Sequence, residues 1–229
     1  MPNSSNKLLA SLSTNDFDLL EPHLEPVDLG LRKDLEKPNQ SISAAYFPDS
    51  GFASVVAVQR HKTIEIGLIG REGMTGLPIL LGDHRSPHAT YIQAAGKGQC
   101  IPSSELHNAI QASQSLRDAL LKFVQAFGVQ TTHTAISNAQ ARLDIRLARW
   151  LLMAHDRIGD DKLPLTHEFL SLMLAVRRPG VTDTLNTLRK QGFISYKRGE
   201  ITVRNREGLE RAAGESYGTP EAEYRRLIG

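Results

Sequence analysis

The residues best suited to chemistry in this sequence are cations arranged in pairs. Arg177 and Arg178 precede Pro179-Gly180, and Lys197-Arg198 follows further along the chain. A guanidinium group bonds phosphate oxygens or chelates guanine through two N–H groups, and an ammonium group binds phosphate as a point charge. Residues 170–206 hold eight Lys and Arg against two Asp and Glu, although the formal net charge of the whole chain is only +2. Such a block favours contact with a polyanion, and a solvated basic face is the alternative.

The proline marks the beginning of a helix rather than a break in one. Proline suits the first helical turn, because its missing N–H would have no intrahelical acceptor there. From Pro179 onward, Val181, Leu185 and Leu188 recur at helical spacing and predict a buried stripe. Gly192 is typical of the position just past a helix end.

Three consecutive elements predict a winged helix-turn-helix. Thr166 is a suitable N-cap for a short helix that stops near Ala175. The helix from Pro179 follows, and the stretch FISYKRGEITV predicts a hairpin with a cationic tip. In this motif the amino-terminal end of the second helix enters the major groove, while the hairpin contacts the DNA backbone. The predicted DNA contacts are Arg177, Arg178, Thr182, Asn186, Arg189, Lys197 and Arg198.

The composition predicts a cytoplasmic protein without a metal or cofactor. The 229 residues are 40% hydrophobic, and the apolar runs are too short to span a bilayer. The single cysteine, Cys100, excludes an intrachain disulfide and an all-cysteine metal site. His84 and His88 lie in a predicted loop with Pro87, which favours polar surface over a zinc site. We expect no enzyme, because the sequence has no Gly-x-Ser-x-Gly, Walker or His-Glu-x-x-His motif.

The first part of the chain predicts a small β-roll. Ser13 and Asp16 are spaced as a helix-capping pair. After Pro26, short β-prone runs alternate with Gly, Pro, Asn and Asp: GFASVVAV and TIEIGLI, joined by the polar tip QRHK, then TYIQA and GQCIP. In TIEIGLI, apolar residues alternate with Glu65 and Gly67, which is typical of a strand.

A long helix is predicted between the roll and the helix-turn-helix. Leu116, Leu120, Phe123 (or Val124) and Phe127 follow helical spacing. This seam favours two interpretations equally, a helix pairing with a copy of itself or a helix lying on its own sheet. The fold class is therefore α+β, with a β-roll at 1–112, a long helix at 113–139, and a winged helix-turn-helix with a C-terminal tail at 140–229.

The chain resembles the Crp/Fnr family of bacterial transcription regulators over nearly its whole length. The stretches that carry the resemblance are YFPDSG, IEIGLIGREGMTG, NAQARLDIRLARWLLMAHDRIG and LPLTHEFLSLMLAVRRPGVTDTLNTLRKQGFISY. The resemblance implies a cyclic-nucleotide-binding-type jelly roll, a dimerisation helix and a DNA-binding winged helix-turn-helix. It also implies a homodimer on inverted-repeat DNA sites and RNA polymerase as a partner, with no membrane.

The recognition helix departs from the usual pattern of that family. Arg178 matches the arginine that contacts bases and phosphates, but Pro179 replaces the usual glutamate. Asp183 stands where many members have a second arginine. The half-site of familiar members is therefore not expected to apply to this protein.

The sensor part departs further. His88-Ala89-Thr90 stands where cyclic-nucleotide-binding members have Arg-Ser/Thr-Ala, and Glu72 is shifted from the ribose-binding position. We therefore expect that cyclic AMP and cyclic GMP do not bind, because a cyclic phosphate needs a matched cation. Candidate effector contacts are Arg71, Glu72, Arg85, Thr131 and Thr132.

Three hypotheses follow for the function. The first is a DNA-binding regulator whose sensor roll binds no cyclic nucleotide. The second is a regulator of the same architecture that depends on an unidentified small molecule, or on a cyclic nucleotide held by a relocated Arg71 or Arg85. The third is an enzyme on an α+β fold, for which the sequence offers no motif.

Overall fold

The computed structural model describes residues 4–59 and 62–229, and its first part is an antiparallel β-roll of two sheets. One sheet has the order β1-β7-β3, formed by β1 (Glu25–Leu29), β3 (Ala44–Pro48) and β7 (Gly96–Pro102). The other has the order β2-β6-β4-β5, formed by β2 (Asp34–Glu36), β4 (Phe52–Gln59), β5 (Lys62–Ile69) and β6 (Ala89–Ala94). The predicted tip between β4 and β5 lies outside the described residues at positions 60 and 61.

Short helices close the roll. They are α1 (Lys7–Ala10), α2 (Thr14–Leu20), α3 (Leu77–Leu80) and α4 (Ser103–Ala112). The predicted cap of α2 is confirmed, since the Ser13 hydroxyl accepts from the Asp16 backbone N–H and donates to the Asp16 carboxylate. That carboxylate also accepts from the hydroxyls of Ser113 and Ser115, which connects α2 to the start of the long helix α5 (Gln114–Gln140).

The long helix α5 (Gln114–Gln140) packs one face on the roll of its own chain. Leu116 and Leu120 are fully buried within the single chain, and Phe123 is 2% exposed. All three belong to the core of the roll. These three side chains are thus covered by the chain's own roll, as the second interpretation predicts. Phe127, the last residue of the seam, is half-buried against the same core, and pairing of the helix with a second copy stays a prediction.

The C-terminal part contains a helix-turn-helix followed by a hairpin, as predicted. Its elements in chain order are α6 (Leu143–Ile158), β8 (Lys162–Leu163), α7 (His167–Met173), α8 (Arg178–Lys190), β9 (Ile194–Lys197), β10 (Glu200–Val203), α9 (Arg206–Ala213) and α10 (Thr219–Ile228). The three strands form one sheet in the order β8-β10-β9. A second core fills the space between these helices and the sheet, and it includes Val181, Leu185 and Leu188 of α8.

Polar side chains of α6 join this part to the rest of the chain. The Arg149 guanidinium is buried and donates to the Ser216 carbonyl and to the Thr134 hydroxyl of α5. The Trp150 indole N–H donates to the Glu65 carboxylate on β5. Glu65 is therefore buried, which its position in an alternating strand did not reveal.

The segment after the hairpin is more ordered than the predicted tail. It forms α9, a short 3₁₀ turn at Gly214–Ser216, and α10, which packs along α5. The Tyr224 hydroxyl on α10 donates to the backbone carbonyl of Glu72, 2.8 Å away. In the described part of the chain, no helix is both long and apolar enough to cross a membrane. The same residues hold no cluster of three or more His, Cys, Asp or Glu side chains suited to a metal ion.

Candidate nucleic-acid interface

A tight turn places α8 against α7. The Thr166 hydroxyl accepts from the Phe169 backbone N–H and caps α7, as predicted. Between the helices Ala175 adopts a positive φ of 52°, which lets the chain reverse. α8 begins at Arg178, one residue before the predicted start, with Arg177 as its N-cap residue and Pro179 in the first turn.

The predicted faces of α8 are confirmed. Val181 and Leu185 are fully buried, whereas Arg177, Arg178 and Arg189 are exposed. Arg177 and Arg178 stand at the amino-terminal end of the helix, where the unpaired N–H groups of the first turn also favour an anion. This end of α8 thus combines the partial positive charge of the backbone N–H groups with the charge of two guanidinium groups. Both attract a phosphate or the acceptor edge of a guanine.

The hairpin brings a second pair of cations to the same surface. Lys197 at the end of β9 pairs with Glu200 at the start of β10, so Arg198 and Gly199 form the tip. The Lys197 ammonium lies 3.1 Å from the Glu200 carboxylate, and its side chain is 74% exposed. Since an exposed ion pair of this kind is weak, the lysine can exchange Glu200 for a phosphate.

Tyr196 links the hairpin to α8, and the sequence analysis missed it. Its hydroxyl donates to the Asn186 side-chain carbonyl at 2.7 Å. The Arg189 guanidinium lies over its ring, 5.1 Å from the centroid, at a distance typical of a cation–π contact. Two predicted DNA contacts are therefore held in place by a residue of β9, whose position next to Lys197 was the only signal in the sequence.

His167 supports the start of α8 from α7. Its Nδ1 lies 3.0 Å from the Thr182 hydroxyl, and its ring packs edge-on against Tyr196. Burial, and next the nearby charge of Arg178, hold the pKa of His167 below its usual range. At neutral pH the ring is therefore uncharged, and Arg178 supplies the positive charge at this point.

An open cavity of about 440 Å³ separates the end of α8 from the hairpin. Residues of α7, α8 and the hairpin line it, including His167, Arg178, Tyr196, Lys197 and Arg198. The structure thus places Arg178, Lys197 and Arg198 around one cavity. His167 and Tyr196, which also line it, contact three further predicted residues, Thr182, Asn186 and Arg189. Asp183 is also exposed on α8 and adds a carboxylate that would repel a phosphate.

The five candidate effector contacts are not gathered in the same way. Arg71 and Glu72 line a cleft beside α5, whereas Arg85 is exposed on the roll. The hydroxyls of Thr131 and Thr132 both donate to the Gly128 carbonyl of their own helix. The structure brings together only Arg71 and Glu72 of this set.

A buried carboxylate lies at the start of α3. Glu36 on β2 accepts the backbone N–H of Gly76 at 2.7 Å, at the start of α3. Burial raises the pKa of Glu36, although its hydrogen bonds from Gly76 and Thr90 act in the opposite direction. The Gly76 N–H, at the start of α3, is therefore already hydrogen-bonded to the Glu36 carboxyl group.

Comparison with known proteins identifies the C-terminal part. Residues 145–212 match the model of the Crp-like helix-turn-helix domain. This range contains α7, α8 and the hairpin, and therefore the whole surface described above. No curated protein matches the chain in sequence.

Solved structures of Crp/Fnr regulators share the fold of nearly the whole chain. FixK2 from Bradyrhizobium japonicum is 13% identical, with 83% of this chain and 98% of that chain covered and a TM-score of 0.72. The c-di-GMP-responsive global regulator CLP from Xanthomonas campestris is 16% identical, with 83% and 99% covered and a TM-score of 0.64. A Crp/Fnr-family transcriptional regulator from Thermus thermophilus is 21% identical, with 82% and 98% covered and a TM-score of 0.62. The chain thus carries a Crp-like helix-turn-helix domain within the fold of the Crp/Fnr family of DNA-binding transcription regulators.

Proposed function

We propose that the protein binds specific DNA sequences as a homodimer and regulates transcription from inverted-repeat sites. The observation that carries this proposal is the position of Arg177 and Arg178, exposed at the amino-terminal end of α8. In helix-turn-helix proteins that end of the second helix enters the major groove. Lys197 and Arg198 stand across the groove, where they can contact the DNA backbone.

The contacts divide into two kinds. Arg178, which flanks the cavity, is our candidate for a base contact, because a guanidinium recognises guanine with two hydrogen bonds. The side chains of Asn186 and Arg189 are already held by Tyr196. They can therefore contact the major groove of DNA with little further loss of rotamer entropy. Lys197 is a phosphate contact in this scheme, since its ammonium group carries charge but no bidentate geometry.

The outward face of α5 is the surface we assign to the second copy. Gly128 and Ala135 lie one heptad apart on α5 and are both exposed in the single chain. The half-buried Leu121 and Val124, earlier on the same helix, pack against the core of the roll. A Cβ added at Gly128 would meet nothing within 4 Å in the single chain, so another helix can approach closely there. Crp/Fnr regulators typically act as dimers, and a twofold protein reads a twofold site.

The roll is proposed to bind neither cyclic AMP nor cyclic GMP. His88 stands in place of the phosphate-binding arginine, and the exposed Arg85 lies outside the cleft that Arg71 lines. As a DNA-binding regulator, the protein is expected to act in the cytoplasm with RNA polymerase as a partner.

Selection of DNA from a random pool by the purified protein tests the proposal. We expect enrichment of an inverted repeat whose half-site centres are about one helical turn, roughly 10 base pairs, apart. The same selection with Arg178→Ala should lose the preference at one base pair of each half-site. Enrichment of no sequence, or of a single asymmetric element, would contradict the proposal.

A further inference from the structure

A cleft of about 390 Å³ lies where the roll, α5, α6 and α10 meet, away from the DNA-binding surface. Its size is within the range of about 300–1,000 Å³ that is usual for small-ligand sites. Its walls include Arg71 after β5, Phe123 and Phe127 on α5, Arg157 on α6 and Tyr224 on α10. Two of the five candidate effector contacts, Arg71 and Glu72, line it, whereas Arg85, Thr131 and Thr132 do not.

Two guanidinium groups in this cleft have unsatisfied N–H donors. Among the described residues, the buried Nε of Arg71 has no hydrogen-bond partner. The Arg157 side chain is 7% exposed, and its Nε lies 2.8 Å from the Glu72 carboxylate without the alignment of a hydrogen bond. A buried donor without an acceptor is destabilising, so an anion at this point would stabilise the Arg71 guanidinium and could give the Arg157 Nε a better aligned acceptor.

The acidic groups of the cleft are already engaged. Glu72 pairs with Arg157, and Asp156 pairs with Arg206 at 2.8 Å. The Glu221 carboxylate accepts from the backbone N–H of Gly218. Arg71 therefore adds positive charge that these carboxylates do not neutralise by direct contact.

Three uncharged polar side chains of the cleft are engaged as well, which limits what the body of the ligand can bond to. The Gln130 side chain accepts from the backbone N–H of Leu68 and donates to its carbonyl. The hydroxyls of Tyr224 and Tyr217 donate to Glu72 and Asp156. With these three groups engaged, an aromatic ring would lie against Phe123 and Phe127.

We propose that this cleft binds a small aromatic carboxylate, with its carboxylate on Arg71 and Arg157 and its ring against Phe123, Phe127 and Tyr224. α6 lies largely within the Crp-like helix-turn-helix domain, whereas α5 packs on the roll. An effect of the ligand on DNA binding rests on the proposed function. A bound carboxylate bridges Arg71 of the roll and Arg157 of α6, and so favours the arrangement of the two parts seen here.

Isothermal titration of the full chain without DNA tests the site. The probes are benzoate, 1-naphthoate and indole-3-acetate, with benzamide and 1-naphthamide as uncharged controls and cyclic AMP as the nucleotide control. We expect at least one carboxylate to bind with a Kd below about 1 mM, a value usual for a small fragment, and the amides to bind at least tenfold more weakly. Arg71→Gln should weaken the carboxylate about tenfold or more, and Arg71→Lys should restore part of the loss.

Arg85→Gln is the matched control, since it removes an exposed arginine of the roll that does not line the cleft. Absence of saturable carboxylate binding, equal binding of the amides, or equal effects of Arg71→Gln and Arg85→Gln would overturn the proposed site. DNA selection by the same protein reports on the proposed function independently. Sequence-specific DNA binding without carboxylate binding would refute this site alone, and carboxylate binding without DNA selection would refute the proposed function alone.

Discussion

Replacement of Glu65 by Gln is expected to remove part of the pH dependence of folding. Glu65 is 4% exposed on β5, where its carboxylate accepts from the Ser54 hydroxyl at 2.6 Å and from the Trp150 indole of α6. Burial raises the pKa of Glu65 to about 7, although Ser54, Trp150, Arg157 and Arg149 favour the charged form. Gln keeps an acceptor for Trp150 but carries no titratable proton.

The direction of the effect follows from the raised pKa. An unfolded carboxyl group with a pKa of 4.5 releases its proton before the folded one does. The stabilising contribution of protonated Glu65 is therefore fully present below about pH 4.5 and is lost as the pH rises through about 7. At about 1.4 kcal/mol for each pKa unit, this loss amounts to about 3 kcal/mol. Glu65→Gln should escape it and gain stability relative to the wild type as the pH rises.

Urea unfolding between pH 5 and pH 8 measures this difference. Trp150 is the single tryptophan of the chain and reports on the contact directly through its fluorescence. We expect the unfolding free energy of Glu65→Gln minus that of the wild type to increase by about 2–3 kcal/mol across the range. Glu25→Gln, at an exposed position of β1, should show a nearly constant difference. A constant difference for Glu65→Gln as well would refute the reasoning.

Three further predictions concern the turn, the dimer and the sensor. Ala175→Gly should stabilise the protein by about 0.5–1 kcal/mol in urea unfolding, because Gly accepts a positive φ without a Cβ clash. Ala139→Gly, at an exposed position of α5, should destabilise it. The same sign for both variants would contradict the argument. Gly128→Glu should leave the single chain folded but abolish the dimer in sedimentation, because it places a charge on the outward face of α5; a dimer that persists would place the contact elsewhere. Cyclic AMP and cyclic GMP should give no saturable heat in titration calorimetry at micromolar concentrations, and binding abolished by Arg85→Ala would show that the arginine has relocated.

Local sequence signals predicted two helix starts and the buried face of α8 correctly. Thr166 caps α7 and Ser13 caps α2 because a hydroxyl just before a helix can accept an N–H of the first turn that has no other partner. The apolar stripe of α8 is buried as expected, since helical periodicity requires only the residues of one element.

Features that depend on a distant partner were missed. Glu65 lies in an alternating strand, and only the arrival of Trp150 from α6 determines that the carboxylate is buried. Leu116 and Phe123 define an apolar face, but the sequence does not state whether a roll or a second copy covers it. Tyr196 holds Asn186 through a hydrogen bond between the hairpin and α8, and no pattern within the strand predicts that contact.

The central claim is that the amino-terminal end of α8 recognises DNA. Fluorescence anisotropy titrations on the selected site, at several salt concentrations, compare Arg178→Ala with Lys197→Ala and with the charge-matched control Arg85→Ala. Arg178→Ala should weaken specific binding by about 1–3 kcal/mol and relax the preference at one base pair. Lys197→Ala should weaken all sequences alike and flatten the salt dependence, and Arg85→Ala should change neither. Equal losses for Arg178→Ala and Arg85→Ala, with base preference intact, would contradict the claim.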